Sequence, residues 1–136
     1  MVLSGSFFTV LSSDVEDGTG TYGLRLNPEH FIFRCHFPEQ PIVPGVCIVQ
    51  MLSELLSAYA GRPLYVKEMR RVKFVRPVYP GVTPELLYRV VSYKDYGEAV
   101  CVSAVLTPLE DEHDVLCKLS LTLVSEAFRK DLWNSA

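Results

Sequence analysis

Histidine is scarce in this chain, three in 136 residues, and the four cysteines (Cys35, Cys47, Cys101, Cys117) nowhere form a C-x-x-C pair. A zinc site or disulfide framework needs tighter clustering, so no metal is expected. The thiols read instead as small buried hydrophobes of a reducing compartment, which makes the cytoplasm the expected location. Long apolar runs are missing too: none approaches the roughly 20 residues that span a bilayer, so no membrane insertion is expected. The partly apolar start, Val2 to Leu11, has no Lys or Arg before it and reads as a first strand rather than a secretion signal. There is no basic excess. The net charge of −3 argues against nucleic acid as a partner, which would favour a basic footprint. Repeats, low-complexity tracts and linkers are also lacking. What is present, 49% hydrophobic and 21% charged residues, is the balance of one globular domain over 1–136, with a tail from about 126.

The N-terminal third carries two short β-like pieces, Phe7 to Ser12 and Thr21 to Leu26, separated by the turn cluster Asp17-Gly18-Thr19-Gly20. Asn27-Pro28 ends the second. Residues 45–60 predict a long helix, opened by Pro44-Gly45 and closed by Gly61-Arg62-Pro63. It is apolar nearly all round, as for a helix buried on most sides. The exception is a narrow polar stripe, Gln50, Ser53, Glu54 and Ser57, at i, i+3, i+4 and i+7. Four strands are predicted after it: Leu64 to Val75, Pro84 to Lys94, Glu98 to Thr107 and Val115 to Val124. The last alternates, with Val115, Cys117, Leu119, Leu121 and Leu123 on one face and Lys118, Ser120 and Thr122 on the other. One buried helix followed by a meander of strands implies an α+β fold, an antiparallel sheet wrapped around one central helix.

The segment from His36 to Gln50 carries the chemistry. It sets one imidazole, His36, on a Pro-rich stretch running into the Pro44-Gly45 helix start. Helix N-termini offer unpaired N–H groups and the positive end of the macrodipole. A thioester carbonyl gaining negative charge as its α-proton leaves would be stabilised there, with the Gly45 N–H as donor and no side chain in the way. Histidine takes up a proton near neutral pH without a large adjustment. On these residues alone two readings stand side by side: a base facing an anion-binding helix start, or a turn histidine next to an ordinary helix start.

His36-Phe37-Pro38, Pro41 and Pro44-Gly45-Val46 form a His-Phe-Pro-x-x-Pro-x-x-Pro-Gly-Val run that resembles the active-site segment of the hot-dog-fold 3-hydroxyacyl-acyl-carrier-protein dehydratases. A second block, Val72-Lys73-Phe74-Val75-Arg76-Pro77-Val78-Tyr79-Pro80-Gly81, is similar to that family's strand-to-turn segment, and the resemblance runs from about Ser6 to Val124. It implies a hot-dog fold and reversible removal of water from a β-hydroxyacyl thioester, in fatty acid or related lipid or polyene synthesis. His36 would be the base, and Gly45 the carbonyl-binding residue, with Phe37 and Val46 beside the substrate. It also implies no metal or redox cofactor, a substrate carried on the phosphopantetheine arm of acyl carrier protein, and a homodimer or a larger assembly built on one. In that family each active site joins the histidine of one protomer to the helix of the other.

The chain departs from the pattern at Gln50, where the family carries Glu or Asp as the acid that helps the hydroxyl leave; one turn later, where it usually has Gln, stands Glu54. An amide delivers no proton, and loss of a positioned acid typically costs ~10²–10⁴-fold in rate. Lesser departures are Cys35, often glycine there, and Val82, often Asp. Three accounts follow. Glu54 serves as an acid displaced by ~6 Å along the helix; or His36 makes both proton transfers while Gln50 orients the hydroxyl; or the chain binds acyl thioesters without dehydrating them, as a partner subunit. A hot-dog thioesterase, with Glu54 activating water, is the rival within enzymes. Lys67, Arg70, Arg71, Lys73 and Arg76 make a basic strand, suited to an acidic carrier protein or to simple solvation. His113 among acids reads as a polar loop tip, and Phe128, Leu132 and Trp133 as a packing segment.

Overall fold

Asp17 (φ 55°) and Gly18 (φ 86°) both adopt left-handed backbone, the geometry of a two-residue hairpin turn whose twist matches its strands. That turn joins β1 (Phe8–Glu16) to β2 (Thr19–Leu26), so both strands run further into the expected turn cluster than their composition suggests. The computed structural model describes residues 2–35 and 39–125. The expected tail from about 126, with Phe128, Leu132 and Trp133, lies outside the described residues, as do His36 and Phe37.

After β2 comes α1 (Phe31–Cys35), a five-residue helix that the sequence reading does not predict. It is too short to show periodicity. Local bonds and one anchor set it: the Ile32 amide donates to His30 Nδ1 at 3.1 Å, and Phe33, buried, packs on Phe7 at 5.1 Å between ring centroids. Then α2 (Gly45–Ala60) begins and ends where the punctuation residues place it. Four strands follow: β3 (Leu64–Phe74), β4 (Glu85–Asp95), β5 (Ala99–Pro108) and β6 (Cys117–Ser125), each within two residues of its expected start.

The six strands make one antiparallel sheet in the order β1-β2-β4-β5-β6-β3. The chain crosses over after α2, so β3 pairs with β6 at one edge while β4 returns beside β2. Alternation decides the faces. On β5, Val100, Val102, Ala104 and Leu106 are buried while Cys101, Ser103 and Val105 are half-exposed, and Ser103 meets its register partner Ser120 at 2.9 Å on the outer face. The inner face closes on α2, whose Cys47, Ile48, Val49, Met51, Leu52, Leu55 and Leu56 are buried in the same core as Leu24, Leu86, Tyr88, Leu106 and Leu121. Tyr88 reaches through that core to donate to the Ile48 carbonyl at 2.5 Å. This is the hot-dog fold: a curled antiparallel sheet around one helix.

Candidate active site

Pro44 precedes α2 in extended geometry (φ −61°, ψ 142°) and has no side chain able to cap it. The Cys47 and Ile48 amides turn back to the Pro44 carbonyl at 2.9 and 3.2 Å. The Gly45 and Val46 amides have no hydrogen-bond partner among the described residues. Two donors therefore stand open at the positive end of a 16-residue helix, the arrangement that accepts a carbonyl oxygen gaining charge.

They open onto a hollow of about 430 Å³ walled by Gly45, Val46, Val49, Gln50, Val66, Met69 and Phe74. All but Gln50 are apolar or glycine, so the space suits an acyl chain with one polar contact. A second hollow of about 360 Å³, bounded by Ile42, Val75, Arg76 and Pro77, shares Gly45 and Phe74 with the first. The Phe74 ring is the partition: a Cβ built on Gly45 would lie 2.7 Å from Phe74 Cζ. A side chain at this position would require that ring to move aside. The sequence marks Phe74 only as part of the Val72 to Gly81 block, with no place at the site. Its placement beside Gly45 follows from β3 lying next to α2, and no local pattern signals that.

The polar stripe is largely turned back on the protein. Ser53 donates to the Gln50 carbonyl (3.0 Å), and Ser57 to the Ser53 carbonyl (2.7 Å) while accepting from the Leu64 amide (2.9 Å). Glu54 accepts from the Leu3 amide on both oxygens (3.0 and 2.8 Å), from the Ser4 amide (2.8 Å) and from Gln50 Nε2 (2.9 Å). The structure thus brings Gly45, Val46 and Gln50 to one hollow and sets Glu54 against the N-terminal segment. It describes neither His36 nor Phe37. The Leu3 and Ser4 amides are site neighbours that no side-chain pattern announces.

Of the basic strand, Lys67, Arg70, Arg71, Lys73 and Arg76 are all exposed, and Arg76 is paired through Nε and a terminal nitrogen with Asp114. His113 sits at an exposed turn, its amide bonded to Asp111. Burial raises the thiol of Cys47 and pushes that of Cys117 up to about 12, so neither is a nucleophile at neutral pH.

The described residues thus set an open helix start over an apolar hollow, inside a hot-dog sheet. Residues 12–100 match the family model described as ApeI-like, ApeI dehydratase, and the chain belongs to that family. It is 33% identical over 103 residues to the 3-hydroxyacyl-[acyl-carrier-protein] dehydratase FabZ of Syntrophobacter fumaroxidans, covering 70% of this chain and 67% of that one. Among solved structures, the ApeI:P dehydratase heterocomplex of Xenorhabdus doucetiae aligns with a TM-score of 0.57 at 22% identity, over 76% of this chain and 85% of that one. A putative thioesterase of Pseudomonas aeruginosa aligns at 0.56 and 15%, over 79% and 85%. At these identities the two structures share the fold, and the fold carries both chemistries.

Proposed function

We propose that this protein dehydrates β-hydroxyacyl thioesters carried on acyl carrier protein, and hydrates the corresponding enoyl thioesters in reverse. The observation that carries the reading is the pair of open amides at Gly45 and Val46, set at the mouth of the hollow that Gln50 also walls. His36 takes the α-proton while the Gly45 N–H holds the carbonyl oxygen as charge builds on it. The electron pair forms the double bond, and the β-hydroxyl leaves as water with the proton from His36. Gln50 orients that hydroxyl. Glu54 is a poor candidate for acid or water activator, because both its oxygens are engaged by Leu3, Ser4 and Gln50. Elimination of this kind needs an acid and a base and calls on no metal or redox cofactor. The phosphopantetheine arm brings the substrate.

A homodimer fits the exposed apolar residues near the α2 start and along β3: Val46 (67% exposed), Met69 (61%), Phe74 (52%) and Val75 (48%). β3 is an edge strand, able to pair with another chain, and its exposed Lys67, Arg70, Arg71 and Lys73 suit an acidic carrier protein. A cytoplasmic site of action is part of the same proposal; among the described residues no helix is long and apolar enough to cross a membrane.

The test is hydration of a trans-2-enoyl thioester, followed by loss of its conjugated absorbance. Turnover that His36→Ala abolishes, without release of free thiol, supports the reading. Thiol release would replace it with a thioesterase, and no turnover with a binding subunit.

A further inference from the structure

Strand β3 is irregular at two points along its pairing with β6, and both lie beside the apolar hollow. Val66, Met69 and Val72 stand opposite Leu123, Leu121 and Leu119, all buried, so these three share the inner face of the sheet. Strict alternation would turn Glu68 inward after Val66, and Arg71 inward after Met69. The register instead shifts between Val66 and Glu68 and again between Met69 and Arg71, by one extra residue each time. The two bulges thus keep charged side chains off α2 and set Val66 and Met69 in the wall of the 430 Å³ hollow.

That hollow has two ends. Gly45 and Phe74 meet at the end with the open amides, and Val49, Gln50 and Val66 lie about one helical turn further along. There it shares Gln50 and Val66 with a hollow of about 820 Å³, whose walls include Ser53, Glu54, Ser57 and Arg62. The apolar space therefore gives way to a polar one at these two residues. Gln50 is tied through Nε2 to Glu54, which three bonds from the Leu3 and Ser4 amides hold in place. Val66 is half-buried and apolar, on an edge strand, and its bulk decides how far the apolar space extends. We infer that Val66 is a specificity-determining residue: its side chain ends the acyl site and limits the length of chain the protein selects. A chain anchored at the Gly45 and Val46 amides gains burial up to Val66; beyond it, each methylene would displace water from polar and charged groups. The axial run from Gly45 to Gln50 is about 7.5 Å at 1.5 Å per residue, which corresponds to a short chain. The inference rests on the dehydratase reading above and names the class of acyl thioester that site takes.

Binding tests this without turnover. Saturated acyl pantetheine thioesters, lengthened one methylene at a time, have no hydroxyl or double bond to react. Calorimetry on the native protein should show affinity rising about fourfold per methylene, the worth of burying one, up to a breakpoint. Val66→Ala should move the breakpoint to a chain about two methylenes longer, and Val66→Phe should move it to a shorter one. The breakpoint is internal to each variant, so any loss of folded protein cancels. Ile42→Ala, in the wall of the 360 Å³ hollow, should leave it in place. A native series that binds nowhere or rises without a break overturns the inference. So does a breakpoint that both Val66 variants leave unmoved, or one that Ile42→Ala moves. Enoyl hydration is scored separately. Shifted breakpoints without hydration would end the dehydratase reading and leave Val66 as the end of an acyl-binding site. Hydration with fixed breakpoints would end the inference alone.

Discussion

The two ends of α2 are built on opposite rules. At the C-terminal end Gly61 takes left-handed backbone (φ 70°), its amide donates to the Ala58 carbonyl at 3.3 Å and the Arg62 amide to the Ser57 carbonyl at 3.2 Å. The Ser57 and Ala58 carbonyls are thus satisfied in a Schellman-type closure. At the N-terminal end Pro44 supplies no cap, and the Gly45 and Val46 amides are left without partners among the described residues. Both ends use glycine for unrelated reasons. Gly61 answers a backbone demand, since nothing lies within 4 Å of a Cβ there; Gly45 has ordinary backbone but faces the Phe74 ring. A helix end that is sealed serves stability, and one left open at a hollow serves a ligand.

Gly45→Ala breaks the comparison most sharply. The new methyl group meets only the tip of Phe74, a half-exposed ring able to swing, so the thermal midpoint should hold or rise slightly. In the proposed mechanism, however, the substrate carbonyl is pushed off the amides. Misplacement by about 1 Å costs on the order of 10²-fold in rate, and steady-state kinetics on the enoyl thioester should show a loss of that size. Full activity in this variant would remove the Gly45 amide from the mechanism. Gly61→Ala should do the reverse. It forces a side chain into left-handed geometry at a cost of about 1 kcal/mol, lowering the midpoint of denaturation while kcat per folded molecule stays native. A drop in kcat there would mean that the closed end also communicates with the site.

The same contrast explains what the sequence discloses. The bounds of α2 are legible because Pro44-Gly45 and Gly61-Arg62-Pro63 act through local geometry. The faces of β6 are legible because alternation is local as well. Strand order is not: nothing near Leu64 or Glu85 says that β3 goes to the edge beside β6 while β4 pairs with β2. The candidate site divides likewise. Gly45, Val46 and Gln50 are adjacent in sequence and readable together. Phe74 reaches Gly45 through the crossover, and Glu54 is held by amides 50 and 51 residues away that belong to no motif. Side-chain types mark Glu54 as a candidate acid on that helix face; the backbone donors that hold its carboxylate are invisible until the chain is folded.

The smallest effects are expected at two tyrosines that support the helix differently. Tyr22 and Tyr88 are register partners on β2 and β4, and both are buried. The Tyr88 hydroxyl holds the Ile48 carbonyl in the first turns of α2, whereas the buried Tyr22 hydroxyl has no partner among the described residues. Tyr88→Phe should therefore destabilise by ~0.5–1.5 kcal/mol, the net worth of a hydrogen bond, and Tyr22→Phe should be neutral or slightly stabilising because it removes an unsatisfied group. Alkali reports on the same pair. Burial, then the neighbouring Tyr59 and Tyr93, pushes Tyr22 up to about 12, and burial holds Tyr88 well above the usual phenol range. An acid whose folded pKa is raised binds its proton more tightly when folded, so the stabilisation is fully present below the unfolded value of 10.0 and is lost as pH rises through about 12. Cys117, also pushed up to about 12 from 9.0, acts in the same direction and starts the decline a unit earlier. Urea midpoints should be level from pH 7 to 9 as far as these groups decide them, and then fall; in Tyr22→Phe the fall should be shallower. A midpoint that rises with alkali would mean these groups are charged in the folded protein, and the core around α2 would have to be wetter than its burial implies.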